Sequence, residues 1–408
     1  MTVASGAGTP ARLSTAEFIA LVAMLTATVA FAVDSLLPAL PAIGAEMTPD
    51  APNNAQLLLT AFIFGLGLAT FVTGPLSDAF GRKPVMIGGA LVYSAAALLA
   101  WAADSFAVVI AARVLMGIGA AGPRVVALAL VRDLYAGRDM ARISSIVMMV
   151  FTLVPALAPL MGAAIIAGFG WRTVFLAYVV FSVISMLWLG LRQPETLPAP
   201  ARRPLSVAAL LGALREVLGH PTVRLSILVQ TLCYTMLFAL ISTVQPIFDV
   251  TFGRADSFPL WFGGLAVVAA SSSFLNALLV GRLGMRALVR AMLGVQIGAT
   301  LLMLAAQMVT LPDTAAFAVF IAWLLVLFFQ TGLTIGNLNA LAMEPVGHIA
   351  GMAASLVSGL ATVGSVILAA PVGLAFNGTA VPLALAVLVC SGLGVVLTGR
   401  IRRPGEAG

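Results

Sequence analysis

Three ionisable residues, Asp34, Arg113 and Arg124, stand inside long apolar stretches. A charge in mid-membrane costs roughly 2.5 to 3.5 kcal/mol on insertion scales, so each is a functional candidate by default. The stretches around Asp34 and Arg113 cross the bilayer in opposite directions. At 1.5 Å of rise per residue, each of the two lies about 10 Å below the outer end of its own span. Opposite charges at one depth are expected to pair across the bundle interior. Such a pair is either static, satisfying both charges, or a proton switch in which protonating Asp34 releases Arg113 and changes how two helices hold each other. Arg124 follows Arg113 by close to three helical turns, so both share a face with Gly117, and Ala120 and Ala121 flank it. That face suits a cavity rather than lipid; the alternative for Arg124 is snorkelling to the nearby surface. With both arginines in it, a cavity would be net positive, favouring neutral, zwitterionic or anionic solutes over lipophilic cations.

Uncharged polar groups recur at helical spacing further on: Gln330, Thr334 and Asn337; Ser355, Ser358 and Thr362; Gln230 and Tyr234. They serve either as substrate contacts or as hydrogen bonds between helices, the common glue of membrane bundles. Phe64 and Phe238 are aromatic candidates, with ordinary packing as the alternative. Pro155 and Pro159, followed by Gly162, should bend their helix, with or without a gating role. His220 and His348 read as loop residues. Cys233 and Cys390 sit in apolar runs without metal-ligand spacing and read as small core residues. Phosphate-loop, dinucleotide, zinc and catalytic-triad patterns are all missing. An enzyme is therefore disfavoured, and no cofactor is expected beyond protons as a coupling ion.

These residues need long apolar helices to hold them. The chain has 408 residues, 61% of them hydrophobic and 9% charged, where a soluble domain carries about a quarter charged. At about 20 residues per crossing, that length accommodates roughly twelve spans. Apolar runs between turn signals place spans 1 to 6 at about residues 17–41, 55–77, 84–103, 106–131, 142–168 and 172–191. Spans 7 to 12 fall at about 223–248, 258–280, 287–309, 315–341, 349–375 and 380–399. A polar, Pro- and Arg-rich segment, 192–221, divides a first six-helix bundle (1–191) from a second (222–408). Within it, residues 205–219 read as a short surface helix. No cleavable leader is expected, because the first run exceeds a leader's apolar core and carries Asp34.

Basic residues gather at one set of ends: Arg12, Arg82, Lys83, Arg132, Arg138, Arg142, Arg192, Arg202, Arg203, Arg215, Arg224, Arg282, Arg286, Arg290, Arg400, Arg402 and Arg403. The opposite loops hold Arg172 and Arg254 among Glu46, Asp50, Asp104, Asp249, Asp256 and Asp313. The positive-inside rule then puts both termini in the cytoplasm, which needs an even number of spans. The sequence pI near 10.1 thus reports topology, not nucleic-acid binding. Faint echoes between halves, Gly81-Arg82 with Gly284-Met-Arg286 and Asp133 with Glu344, fit an internal repeat. Gly281 stands where the first half has Asp78.

The loop from Gly74 to Pro84 resembles the signature G-x-L-x-D-x-x-G-R-K between the second and third helices of the major facilitator superfamily. Gly74, Leu76, Asp78, Gly81, Arg82 and Lys83 match it, and Ala79 replaces the usual Arg. Arg113-Val-Leu-Met-Gly117-Ile-Gly119-Ala-Ala resembles the helix-4 motif of drug:proton antiporters, in which the Arg is implicated in proton coupling. Pro155-Ala-Leu-Ala158-Pro159-Leu-Met-Gly162 is similar to the helix-5 antiporter motif, with Ala158 and Ala163 where Gly is usual. Asp34-Ser-Leu-Leu-Pro38, Val131-Arg132-Asp133-Leu-Tyr135 and Gly170-Trp171-Arg172 resemble the bicyclomycin-resistance and chloramphenicol-efflux (Bcr/CflA-type) branch. Gly122-Pro123-Arg124 departs from that pattern. The resemblance implies an all-α major facilitator fold, monomeric, in a bacterial inner membrane, exporting amphenicol- or bicyclomycin-like molecules against protons. It also implies that Asp78 meets the cytoplasmic end of span 11 and that Arg82 pairs with Asp133, latching the outward-facing state. The alternatives are a metabolite exporter or facilitator, or a membrane receptor that moves nothing.

Overall fold

A computed structural model describes residues 13–401; Arg12, Arg402 and Arg403 lie outside the described residues. Among those described, the regular structure is entirely helical. A segment in hydrocarbon must satisfy its own backbone groups, and a helix does so within itself. The first half contains α1 (Thr15–Asp34), α2 (Leu40–Met47), α3 (Leu57–Phe80), α4 (Arg82–Ala102), α5 (Phe106–Leu134), α6 (Gly137–Phe169) and α7 (Thr173–Arg192). After α8 (Val207–Gly219), the second half contains α9 (Pro221–Pro246), α10 (Phe258–Leu283), α11 (Met285–Ala306), α12 (Asp313–Met343), α13 (Ala350–Leu374) and α14 (Val381–Arg400).

Eleven runs among the described residues are long and apolar enough to cross a membrane. The longest, Asp313–Leu374, joins α12 to α13 through a 3₁₀ turn at Glu344–Ile349, where Val346 leaves helical geometry. Large apolar side chains such as Leu91, Phe169, Val180, Phe274 and Leu302 stay exposed on the perimeter. In water such a surface would aggregate; in a bilayer it is the solvated face.

The first span is broken where the sequence predicts one helix to residue 41. α1 ends at Asp34, and the chain passes through a 3₁₀ turn, Leu37–Ala39, into α2. Pro38 and Pro41 have no N–H to offer the carbonyls four residues back, which disfavours a continuous helix at this point. α6, by contrast, runs through both Pro155 and Pro159. It lies hard against the break in the first span: a Cβ at Gly162 would stand 2.0 Å from the Ser35 carbonyl oxygen. Glycine is what lets those two backbones meet.

The halves meet along α3 with α13 and along α6 with α10. At the end away from the Gly74–Pro84 loop they are tied together, Asn53 Nδ2 donating to the carbonyls of Phe376 at 2.7 Å and Leu374 at 3.2 Å. At the loop end, α8 buries Ala213 and Val217 in a cluster with Val223, Ile227, Leu356 and Val357. Its Glu216 also lies 2.7 Å from Nε2 of His348.

Candidate functional site

The break in the first span builds a binding place for a cation. With no regular helix after Asp34, the last carbonyls of α1 are left for other donors. Arg113, fully buried on α5, takes that role: Nη2 donates to Ala32 O at 3.1 Å, and Nε donates to Leu58 O of α3 at 3.0 Å. Its guanidinium lies 4.6 Å from the Phe62 ring centroid. The Tyr178 hydroxyl also donates to Ala32 O, at 3.2 Å, and lies 2.9 Å from Ser35 Oγ. The negative end of the α1 dipole thus faces a guanidinium.

The expected Asp34–Arg113 ion pair is not formed. The salt bridges among the described residues lie elsewhere; two backbone carbonyls, Ala32 O of α1 and Leu58 O of α3, supply the acceptors that Asp34 was expected to provide. Asp34 itself is 4% exposed, and no hydrogen bond or ion pair holds its carboxyl among the described residues. The acid and the cation therefore act on one structural element, the end of α1, without touching each other.

At the opposite end of α3, Arg82 gathers two acids. Its Nη1 lies 2.5 Å from Asp78 and its Nε 3.1 Å from Asp133 at the end of α5. Among the described residues Asp78 makes no hydrogen bond or ion pair to α13; its carboxylate turns to Arg82 instead. Glu195, which motif reasoning missed, closes this loop from the segment after α7. Its carboxylate accepts from Arg82 N and Lys83 N, both at 3.0 Å, satisfying the first two free N–H groups of α4. Gly81 has a φ of +103°, and a Cβ there would come within 2.6 Å of the same carboxylate. Thr196 donates to Asp133 at 2.9 Å, and Arg203 N donates to Asp78 O at 3.0 Å. Neighbouring Pro194 and Arg202 had marked this segment as a linker; no pattern tied its acid to α4. Glu195→Ala should lower stability by about 1 kcal/mol, the usual worth of an N-terminal cap. Thermal unfolding of the purified protein checks this, and an unchanged midpoint removes the cap from the account.

Between the halves, open at this loop end, lies a cavity of about 910 Å³. Thr26 of α1, Thr70 of α3, Arg124 of α5, Tyr234 of α9, Asn339 of α12 and Ser358 of α13 line it, with Gly74, Asp78, Arg82 and His348 also on its wall. Arg124 therefore faces the cavity instead of snorkelling. Tyr234 stacks on Phe238 at 5.5 Å between centroids. The other proposed cavity residues lie off this wall. Gln230 donates to Asn339 at 3.0 Å, Gln330 to Thr334 at 2.7 Å, and Asn337 to Asn276 at 2.7 Å. Phe64 packs into the core. On α12 the cavity side falls at Asn339, two residues beyond Asn337 and so about 200° round the helix. Polar spacing alone marks a helix face without saying which neighbour it meets.

Residues 22–369 match the family model described as Major Facilitator Superfamily. The chain is 28% identical over 290 residues to the bicyclomycin resistance protein homolog of Haemophilus influenzae, covering 69% of this chain and 71% of that one. It is 28% identical over 349 residues to the chloramphenicol resistance protein of Pseudomonas aeruginosa, covering 83% and 80%. Its fold superposes on the crystal structure of a D-xylose-proton symporter with a TM-score of 0.75 at 12% identity, covering 95% and 98% of the two chains.

Proposed function

Because the chain belongs to the Major Facilitator Superfamily, and so is a multi-pass membrane transporter rather than an enzyme, we propose that it exports small drug-like molecules in exchange for protons. Relatives named for bicyclomycin and chloramphenicol resistance support that substrate range. Coupling is supported by one observation above all: a buried, unpartnered Asp34 ends the same helix whose Ala32 carbonyl holds Arg113. A proton arriving at Asp34 changes the field at the end of α1, and with it the hold of α1 on α5 and α3.

The sidedness follows from charge. The 62-residue run Asp313–Leu374 measures about 90 Å as helix, too long for one crossing of a hydrocarbon core about 30 Å thick. Taken as two crossings broken at Val346, it makes twelve spans, with both termini and the Gly74–Pro84 loop on the cytoplasmic side of a bacterial inner membrane. The cavity then opens inward; the missing Asp78–α13 contact fits that state, while the Arg82–Asp133 pair of the implied latch stays formed. Alternating access would close the loop end and part the Asn53–Phe376 contact.

The test is flux in proteoliposomes of the purified full-length protein. An imposed pH gradient should drive a chloramphenicol-like substrate uphill, with proton release on binding. Flux that only follows the substrate gradient would make it a facilitator; no flux for any of a panel of drugs, amino acids and sugars would leave a receptor.

A further inference from the structure

The cavity wall is unbalanced in charge. Arg82, Arg124, Arg132 and Arg203 line it, and Asp78 is its one acid among the described residues. Asp78 is spent on Arg82, which Asp133 also holds. Arg132 and Arg203 belong to the mouth, where water and the headgroups screen them. Arg124 does not. It lies ten residues before the end of α5 at Leu134, about 15 Å along the axis. It is half-buried and makes no hydrogen bond or ion pair with any described residue. Asp34, the acid inside the first span, is not on this wall.

A half-buried guanidinium that no protein acid neutralises attracts an anion, and away from the mouth that attraction is less screened. Its planar fork suits a carboxylate bidentately. The same cavity wall carries an aromatic side chain, Tyr234, and neutral polar groups, Thr26, Asn339 and Ser358. Resting on the reading that this cavity carries the transported molecule, we infer that among drug-like molecules with an apolar or aromatic body it prefers those bearing a carboxylate, anionic or zwitterionic, over their neutral analogues, and that Arg124 binds that carboxylate. Arg124 then sets specificity: a cation of the same shape meets an unmatched positive charge, and a neutral analogue leaves the guanidinium unpaired.

The test is equilibrium binding to the purified full-length protein, without any pH gradient, using 2-naphthoate and its neutral isostere 2-naphthamide. Naphthoate should bind at least roughly tenfold more tightly. Arg124→Gln should remove that preference, and Arg124→Lys should keep part of it, since a point charge remains without the fork. Size-exclusion profiles and unfolding midpoints verify folding of both variants, and Arg290→Gln, outside the cavity, should leave the preference intact. Naphthamide binding within about twofold of naphthoate, an undiminished preference in Arg124→Gln, or no naphthoate binding at several millimolar would each overturn the inference. Gradient-driven export of a neutral amphenicol without carboxylate preference would sink this inference alone. Carboxylate preference without gradient-driven flux would sink the coupling proposal alone.

Discussion

Asp34→Asn should abolish gradient-driven export, lowering the initial uphill rate by at least roughly a hundredfold, while the amount of folded protein in the membrane stays the same. The asymmetry is what makes the test sharp. Asparagine matches aspartate in shape and cannot release a proton. The carboxyl carries no hydrogen bond or ion pair among the described residues, although it is 4% exposed, so the substitution breaks no contact. Its effect on stability should stay within about 1 kcal/mol, the ordinary range for a change that leaves no cavity and no broken network. Exchange of substrate between two equal pools, which needs no net proton movement, should survive. Uphill export and unfolding midpoint are measured on the same preparation. Uphill export at the native rate would remove Asp34 from coupling altogether. A large fall in midpoint would instead make the residue a packing element.

Much of the frame could be read from composition and punctuation. Apolar runs of fixed length, cut by Gly, Pro and Arg, give the helices to within a few residues, because hydrocarbon leaves a backbone little choice. The Gly81-Arg82 turn was equally readable, since a tight, doubly basic turn belongs at the edge of the bilayer; its partner Asp133, at the end of α5, came only from the family resemblance. The contacts within the membrane were harder. Depth placed Asp34 and Arg113 level, and level opposite charges suggest a pair. What that inference omitted is that a helix broken before Pro38 offers carbonyl acceptors of its own, and backbone acceptors leave no mark in side-chain chemistry. Glu195 was hidden for a related reason. Its partners are the N–H groups of Arg82 and Lys83, which every residue but proline possesses. Gln230, Gln330 and Asn337 were misplaced because a polar stripe fixes a face only relative to its own helix; the direction of that face depends on packing between halves far apart in sequence.

Arg113→Met tests the other half of the coupling element, and here both stability and function should fall. Burying a guanidinium completely costs several kcal/mol. In this protein that cost is offset by hydrogen bonds to Ala32 O and Leu58 O, by the Phe62 ring at 4.6 Å, and by the dipole of α1. Methionine fills most of the volume without the desolvation cost, so the variant should still fold, at a net loss of about 1–3 kcal/mol for two charge-assisted bonds. Tyr178 continues to serve Ala32 O, which keeps the end of α1 from being left wholly unsatisfied. The larger loss is expected in transport, at least tenfold, because nothing then relays a charge change at Asp34 from α1 to α5 and α3. Arg113→Lys separates charge from geometry. An ammonium retains the attraction to the α1 dipole but presents a single point where the guanidinium reaches two carbonyls on two helices. Lysine should therefore recover much of the unfolding midpoint and little of the uphill flux. If lysine restored both in equal measure, the arginine would matter as a buried positive charge only, and the bridge between α1 and α3 would have no part in coupling.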